Sequence, residues 1–383
     1  MENKKGNFYW LDWLRFFAAF NVLLGHARAT IFLDYYLLDD HWKSIFSYVV
    51  FCLVSLGNEA VTFFFVLSGF LVGGKALERI CNRTFNPINY FIDRFSRIML
   101  PLVPALLLTA FIGLLIGKSF NPYFFVGNLF SLQGILVPTF GGNGPLWSLS
   151  YEVWFYVLVG MLGVCVLHRK FSLSIFTVLV FIAVVFSQYL SVAKLFCWII
   201  GVLAYVRRPD NLSLPLVAIS ITVMLLGIIG VQVSMGALQI LPQNIRTAFS
   251  FFPPHIVLAA GIAIFIQQVI LIKPKGRWMV RVDKYGVYLA AFSYTLYLTH
   301  QPVLDLISAY FLKGQKSVAI EFSSILGYII VISICLIVSY IVYWLFERRT
   351  HELRSFLKKK IVLQKKDIPL VMVDKHADER SDY

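Results

Sequence analysis

Long hydrophobic stretches recur along almost the whole chain, and each is long enough to cross a lipid bilayer. Hydrophobic residues make up 59% of the 383 residues and charged residues only 14%, a balance that water-soluble domains do not show. The sequence therefore predicts an all-α polytopic membrane protein, a bundle of about ten transmembrane helices of about 20 apolar residues each. The predicted spans are 10–33, 47–73, 98–117, 147–167, 171–189, 191–206, 212–235, 251–272, 284–312 and 322–346.

The distribution of lysine and arginine predicts how these spans are oriented. With the N-terminus in the cytoplasm, 26 Lys and Arg residues fall in cytoplasmic segments and six in the opposite loops. Cytoplasmic loops of membrane proteins carry such an excess, so both termini are predicted to be cytoplasmic. The net charge of +14 therefore reflects topology and contact with the lipid bilayer rather than nucleic-acid binding.

Two segments are predicted to lie outside the regular spans. Residues 120–140 are apolar but interrupted by proline and glycine, which predicts a loop or re-entrant segment packed against the bundle. Residues 8–346 form the predicted transmembrane domain, and residues 347–383 form a basic cytoplasmic tail that is predicted to be disordered. The five cysteines are scattered without a CxxC motif, so the sequence indicates neither a disulfide framework nor a metal site.

Three titratable residues fall at one predicted depth within the spans. His26 and His300 each lie about 24 Å above the cytoplasmic end of their helices, and Glu152 lies about 8 Å below the outer surface. Ionisable side chains inside a membrane are costly and mark functional sites, so the common depth predicts that His26 and Glu152 act together in catalysis. Two alternatives remain: His26 forms an interhelical hydrogen bond, and His300 satisfies carbonyls freed by Pro302.

Two further features of the first spans allow more than one interpretation. Glu59 is predicted near mid-membrane, within reach of Arg15 or Arg28, either as a structural ion pair or as part of a substrate path. Ser68 is a candidate nucleophile, but Ser68-Gly69 also has the small side chains that permit close helix contact. No strand followed by a sharp elbow supports a hydrolase serine here.

A pair of arginines marks the cytoplasmic end of the third span. Arg94 and Arg97 are three residues apart, so they share one helical face. Planar guanidinium groups bind phosphate in a bidentate manner, which suits the diphosphate of a nucleotide-type donor. The alternative is that both side chains extend to lipid headgroups.

Five motifs, in this order along the chain, resemble the acyltransferase 3 family of integral membrane acyltransferases. They are Arg15-x10-His26, Phe63-Phe-Phe-Val-Leu-Ser68-Gly69, Arg94-x-x-Arg97-Ile, Trp147-Ser-Leu-Ser-Tyr-Glu152 and Ser293-Tyr-Thr-Leu-Tyr-Leu-Thr-His300-Gln-Pro302. The resemblance implies a ten-helix domain that takes an acyl group, usually acetyl, from cytoplasmic acyl-CoA. It also implies an acceptor hydroxyl on an extracytoplasmic bacterial glycan such as O-antigen or exopolysaccharide, and a place in the cytoplasmic (inner) membrane.

The resemblance implies roles for individual residues as well. The family's essential arginine and histidine, paired arginines and acidic residue correspond to Arg15, His26, Arg94, Arg97 and Glu152. Glu59 is a departure from the family pattern, because the segment that leads to the Ser-Gly motif is more commonly uncharged and rich in glycine. We expect catalysis by His26 and Glu152; acyl-donor binding by Arg15, Ser68, Gly69, Arg94 and Arg97; and substrate contacts by Glu59, Trp147, Ser150 and His300.

These positions suggest a mechanism. The pantetheine arm of an acyl-CoA is about 15–20 Å long, comparable to the axial distance from Arg94 and Arg97 to His26. His26, as general base, takes the proton of an acceptor hydroxyl that enters from outside, while Glu152 orients the imidazole or the sugar. Acyl transfer through an acyl-imidazole at His26 is the alternative. Acyl-CoA is then a co-substrate, and no tightly bound cofactor is expected.

The competing class is a secondary transporter or a proton relay. Intramembrane arginine, histidine and glutamate also mark ion and substrate pathways. The sequence shows no internal repeat of the kind that many transporters carry. Release of CoA in the presence of an acceptor glycan distinguishes the two classes, because a transporter releases none.

Overall fold

The computed structural model describes residues 8, 10–168, 173–236, 242–250, 253–317 and 319–366. These residues form α-helices, shorter helical turns and connecting loops, with no strand beyond two isolated bridges. The predicted all-α fold is therefore confirmed. The α-helices, numbered in chain order, are α1 (Leu11–Ile31), α2 (Ile45–Val54), α3 (Gly57–Ser68), α4 (Lys75–Cys81), α5 (Pro87–Leu115), α6 (Pro122–Leu129), α7 (Trp147–His168), α8 (Leu173–Val184), α9 (Val192–Val206), α10 (Leu214–Ser234), α11 (Gln243–Ser250), α12 (Pro254–Val269), α13 (Gly276–Ala291), α14 (Ser293–Ile307), α15 (Phe322–Leu345) and α16 (Thr350–Lys366).

Five helical segments of the described chain are long and apolar enough to cross a membrane. They are Ile45–Cys81, Pro87–Leu115, Gly144–Leu167, Leu214–Ser234 and Phe322–Ile361. Three shorter apolar helices, Leu179–Tyr189, Val192–Val206 and Pro254–Val269, accompany them. The protein is thus a helical membrane protein, while the predicted number of ten spans remains a prediction.

The predicted span 284–312 is not one helix. α13 ends at Ala291 and α14 begins at Ser293, with Phe292 between them as a common cap. α13 is largely exposed and carries several charged residues, whereas α14 is apolar and buried. α14 packs against α1, α5 and α15, and it therefore occupies a central position in the bundle.

The third span begins earlier than predicted. α5 starts at Pro87, and the side chain of Asn86 accepts a hydrogen bond of 2.9 Å from the backbone N–H of Asn89. An asparagine cap followed by proline in the first turn is a strong helix start. Arg94 and Arg97 consequently lie in the second and third turns of α5.

Small residues bring α9 into backbone contact with the end of α3 and with the π-helical turn Gly69–Gly74 that follows it. A Cβ atom on Gly69 would lie 2.0 Å from the carbonyl oxygen of Trp198, and one on Gly201 would lie 2.0 Å from that of Val66. No side chain fits at that separation. The close helix contact predicted for Ser68-Gly69 is therefore present at Gly69.

The segment before α7 is folded into the bundle, as predicted for residues 120–140. Asn128 donates to the carbonyl of Pro138 at 2.9 Å, and Gln133 donates to that of Leu146 at 2.7 Å. The side chain of Asn143 donates to the carbonyl of Leu298, on α14, at 2.9 Å. These amides satisfy backbone groups that have no regular helix partner.

The C-terminal tail differs from its prediction over its first half. α16 is helical over Thr350–Lys366, where disorder was predicted from residue 347. Arg354 and Lys358, one turn apart, both pair with Asp93 on α5, at 3.2 and 2.8 Å. This shared carboxylate docks the helix on the bundle, which composition alone does not reveal. Residues 367–383 lie outside the described part of the chain, as do the predicted span starts at 171 and 251.

Candidate functional site

A cavity of about 140 Å³ lies between α1, α3, α5, α7 and α14. Its lining includes six polar or charged residues that are important for its chemistry: Arg15, Ser68, Arg94, Arg97, Glu152 and Tyr156. We call it the inner cavity, because Arg94 and Arg97 follow the basic segment predicted to be cytoplasmic. Five residues predicted from the sequence as catalytic or donor-binding therefore share one cavity.

The three arginines of the inner cavity are held differently. Arg97 pairs with the buried Glu347 at 2.7 Å, and Arg15 pairs with Asp12 at 3.2 Å. Arg94 has no ion-pair partner among the described residues. Its guanidinium lies over the ring of Tyr156, and its buried Nε has no hydrogen-bond partner in the described structure. Arg94 is thus the arginine with the most capacity left for an anionic ligand.

Glu152 is held by a chain of side chains that crosses the cavity. The Tyr156 hydroxyl donates to Glu152, the Ser68 hydroxyl donates to the Tyr156 oxygen at 3.2 Å, and Trp198 Nε1 donates to the Ser68 oxygen at 3.3 Å. The three arginines attract the Glu152 carboxylate electrostatically. Ser68 therefore serves as a polar link in the wall, and no base activates it as a nucleophile.

The predicted common depth of His26 and Glu152 is wrong. The predicted depth assumes that α7 begins at the outer surface. The segment before α7 is instead hydrogen-bonded to Leu298 through Asn143, so the helix begins inside the bundle. Glu152 lies five residues beyond the helix start at Trp147, about 8 Å deeper. It therefore lines the inner cavity with the arginines, and it does not orient the imidazole of His26.

His26 lines a second cavity, of about 200 Å³, which we call the outer cavity. Arg28, Asn58 and Trp147 also line it. His26 Nδ1 lies 2.9 Å from His300 Nε2, and His300 Nδ1 lies 2.8 Å from the carbonyl oxygen of Leu296. The two histidines predicted at equal depth are thus in direct contact, across α1 and α14.

This chain of contacts determines where the ring protons lie. A carbonyl oxygen only accepts, so His300 Nδ1 carries a proton and donates it to Leu296. In neutral His300, Nε2 is then an acceptor, and His26 Nδ1 is the donor. Neutral His26 consequently keeps an unprotonated Nε2, which has no hydrogen-bond partner among the described residues. An unprotonated imidazole nitrogen of this kind can act as a base.

The two cavities share a wall. Val61 on α3 and Tyr297 on α14 line both of them. The Tyr297 hydroxyl hydrogen-bonds the Ser148 hydroxyl at 2.7 Å. We call Val61 and Tyr297 the partition. The arginine cavity and the cavity that contains the histidine therefore adjoin at these two side chains.

Other predicted site residues lie elsewhere. Glu59 pairs with neither arginine; it accepts a hydrogen bond of 2.8 Å from Gln232, and Lys194 is its attracting cation. α3 turns Glu59 towards α9 and α10 instead of α1, which sequence spacing did not reveal. Ser150 is buried and donates to the carbonyl of Trp147 at 2.9 Å, outside both cavities.

Three residues of the site are absent from the sequence prediction. Tyr156 lies one turn after Glu152, so the i,i+4 spacing could have revealed it. Tyr297 lies three residues before His300 and could have been found in the same way. Glu347 pairs with Arg97 across 250 residues, and no local pattern predicts that contact.

The chain is thus a helical membrane bundle with two adjoining cavities, one lined by three arginines and one by a histidine. The chain belongs to the acyltransferase 3 family, whose family model, described as an acyltransferase domain, matches residues 8–344. Comparisons with curated proteins and with solved structures give no match. The protein is therefore a membrane acyltransferase.

Proposed function

We propose that the protein is an O-acetyltransferase of the cytoplasmic (inner) membrane. It takes an acetyl group from cytoplasmic acetyl-CoA and transfers it to a hydroxyl of an extracytoplasmic carbohydrate, such as an O-antigen or an exopolysaccharide. One observation carries the proposal. The hydrogen bonds of His26 and His300 leave a basic nitrogen in a cavity that shares two wall residues with an arginine-lined cavity.

The arginines support an anionic donor on the inner side. Arg94, with no ion-pair partner among the described residues, and Arg97, one nitrogen of which contacts Glu347, present two guanidiniums to phosphate oxygens. The inner cavity, at about 140 Å³, is smaller than the pockets that enclose whole nucleotides. The pantetheine arm therefore enters it, the thioester extends past the partition to His26, and the nucleotide stays at the cytoplasmic end.

The chemistry then follows from the histidine pair. The acceptor hydroxyl gives its proton to His26 Nε2 while its oxygen attacks the thioester carbonyl. The tetrahedral intermediate collapses, the carbon–sulfur bond breaks, and the proton on His26 passes to the departing CoA thiolate. The products are the acetyl ester and CoA. Throughout, His300 Nε2 accepts from His26 Nδ1 and stabilises the imidazolium that forms.

The decisive experiment measures both products. The purified protein receives acetyl-CoA labelled in the acetyl group and surface polysaccharide that has been deacylated with mild alkali. We expect CoA release that depends on the polysaccharide and an equal amount of label in it. The His26→Ala variant should lose about 10²–10⁴ of this rate. Retention of half the rate, at normal protein level, would refute the role of His26.

A rapid quench separates the two chemical routes. Transfer through a direct attack leaves no label on the protein, whereas an acyl-imidazole at His26 carries one acetyl group. Mass spectrometry of the quenched protein, with acetyl-CoA and no acceptor, distinguishes them. We expect no acetyl group on His26, because the general-base route uses its nitrogen only for the proton.

A further inference from the structure

A third cavity, of about 330 Å³, lies beside the loop between α1 and α2, and the mechanism above does not use it. Four of its eleven lining residues are aromatic, three of them tyrosines, and we call it the tyrosine cleft. It is lined by Tyr35, Tyr36, Tyr48 and Phe51 together with Arg28, Asp34, Cys52, Ser55, Gln232, Met235 and Gly236. The predicted topology places this loop on the extracytoplasmic side.

The aromatic rings of the cleft are held in a fixed arrangement. The ring of Tyr35 meets those of Tyr36, Tyr48 and Phe51 edge to face, with centroids 5.5, 5.0 and 5.9 Å away. The Tyr35 hydroxyl also donates to the carbonyl of Ser44 at 3.0 Å. Tyr35 thus acts as the packing centre, and Tyr36, at 39% exposure, presents its ring to the space.

The charges of the cleft balance each other. Arg28 pairs with Asp34 at 3.1 Å and lies over the ring of Phe51. The pair offers hydrogen-bond donors and acceptors side by side with no net charge. Aromatic faces with a few polar groups bind ligands that are apolar on one side and polar on the other. A neutral pyranose is such a ligand, because its C–H face packs on a ring and its hydroxyls project sideways.

The cleft adjoins the cavity that contains the catalytic histidine. Arg28 and Ser55 line both the tyrosine cleft and the outer cavity. Arg28 is two residues after His26 on α1, near the outer end of that helix. A sugar held in the cleft therefore has the basic nitrogen of His26 in the neighbouring space.

We propose that the tyrosine cleft is the acceptor subsite and that it binds a neutral pyranose unit of the glycan. This inference rests on the proposed function, since it assigns the acceptor of the same reaction. The cleft holds one sugar ring through Tyr36 and the Arg28–Asp34 pair, and it directs a hydroxyl of that sugar, or of its neighbour, to His26.

Acceptor kinetics test the assignment. Labelled acetyl-CoA is held at saturation, and the deacylated surface polysaccharide of cells lacking this gene is the varied acceptor. Tyr36→Ala should raise the KM for the polysaccharide at least about fivefold, while Tyr36→Phe stays within about twofold of the unmodified protein, because the ring face is retained. CoA affinity should not change in either variant.

Two more variants control for an effect of the substitution on folding. Met235→Trp fills the cleft from its exposed rim without deleting a contact, and it should raise the same KM. Tyr123→Ala removes a tyrosine that is 62% exposed on α6 and lies outside the cleft, so the KM of this variant should stay unchanged.

The outcomes separate the two proposals. Normal labelling with an unchanged KM in both Tyr36→Ala and Met235→Trp would overturn the acceptor subsite alone. These aromatic residues would then be a membrane-interface belt. Failure of the unmodified protein to label the polysaccharide would overturn the proposed function and this inference together.

Discussion

Replacement of His300 tests whether the contact between the two histidines supports catalysis. His300→Leu removes the acceptor for His26 Nδ1 and keeps a side chain of similar size in a fully buried position. His300→Gln keeps a carbonyl oxygen that can accept from the same nitrogen. The two variants therefore differ in one hydrogen bond and little in volume.

The size of the effect follows from the charge on His26. In the resting protein the contact of 2.9 Å joins two neutral rings and contributes about 0.5–1.5 kcal/mol. In the transition state of the proposed reaction His26 is cationic, and a hydrogen bond to a charged group contributes about 1.5–3 kcal/mol. The difference of about 1–1.5 kcal/mol predicts that His300→Leu lowers kcat roughly 5- to 15-fold.

The assay is acetyl transfer to deacylated polysaccharide under saturating donor and acceptor. His300→Gln should recover part of the lost kcat, and neither variant should alter CoA affinity. His255→Leu is the matched control, since His255 bonds Thr62 and lines neither the inner nor the outer cavity. Equal kcat values for His300→Leu and the unmodified protein would refute the reasoning, as would a His300→Gln variant no faster than His300→Leu.

Three further predictions concern the donor site, the helix crossing and the topology. Arg94→Ala should weaken CoA binding about 10- to 100-fold in a titration of the purified protein, and Arg94→Lys should restore only part of it because lysine lacks the bidentate fork; full restoration would contradict phosphate recognition by the guanidinium. Gly69→Ala should lower the melting temperature in detergent sharply, since its Cβ would lie 2.0 Å from a backbone oxygen. Gly57→Ala, whose Cβ would have no atom within 4 Å, should not lower it. Equal melting temperatures for the two variants would contradict the close helix crossing. In a protein without native cysteines, Asp40→Cys should react with an impermeant maleimide on intact cells and Asn82→Cys should not; the reverse pattern would invert the topology.

Some residues of the site can be placed from the sequence alone, and others cannot, for physical reasons. The contact between His26 and His300 agrees with their equal predicted heights, although α14 begins at Ser293 and not at the predicted start of its span. Glu152 is misplaced by the same arithmetic, because its helix begins inside the bundle, where Asn143 contacts Leu298. Helix spacing gives height along an axis but not the direction in which a side chain points.

That missing direction also accounts for Glu59. Its height allowed a pair with Arg15 or Arg28, yet the rotation of α3 places it beside Gln232. Partners from distant parts of the chain, such as Glu347 for Arg97, depend on which helices are neighbours. A single sequence does not show which helices are neighbours.

The partition of Val61 and Tyr297 has a consequence for the energetics of the cell. A membrane enzyme whose substrates arrive from opposite sides must not let ions follow them, because each charge that crosses 100 mV dissipates about 2.3 kcal/mol. Val61 and Tyr297, which line both cavities, lie where such an ion would have to pass. In the proposed reaction, the proton that His26 gives to the CoA thiolate passes inwards for each acetyl group that moves outwards, so acyl transfer across the partition is electroneutral.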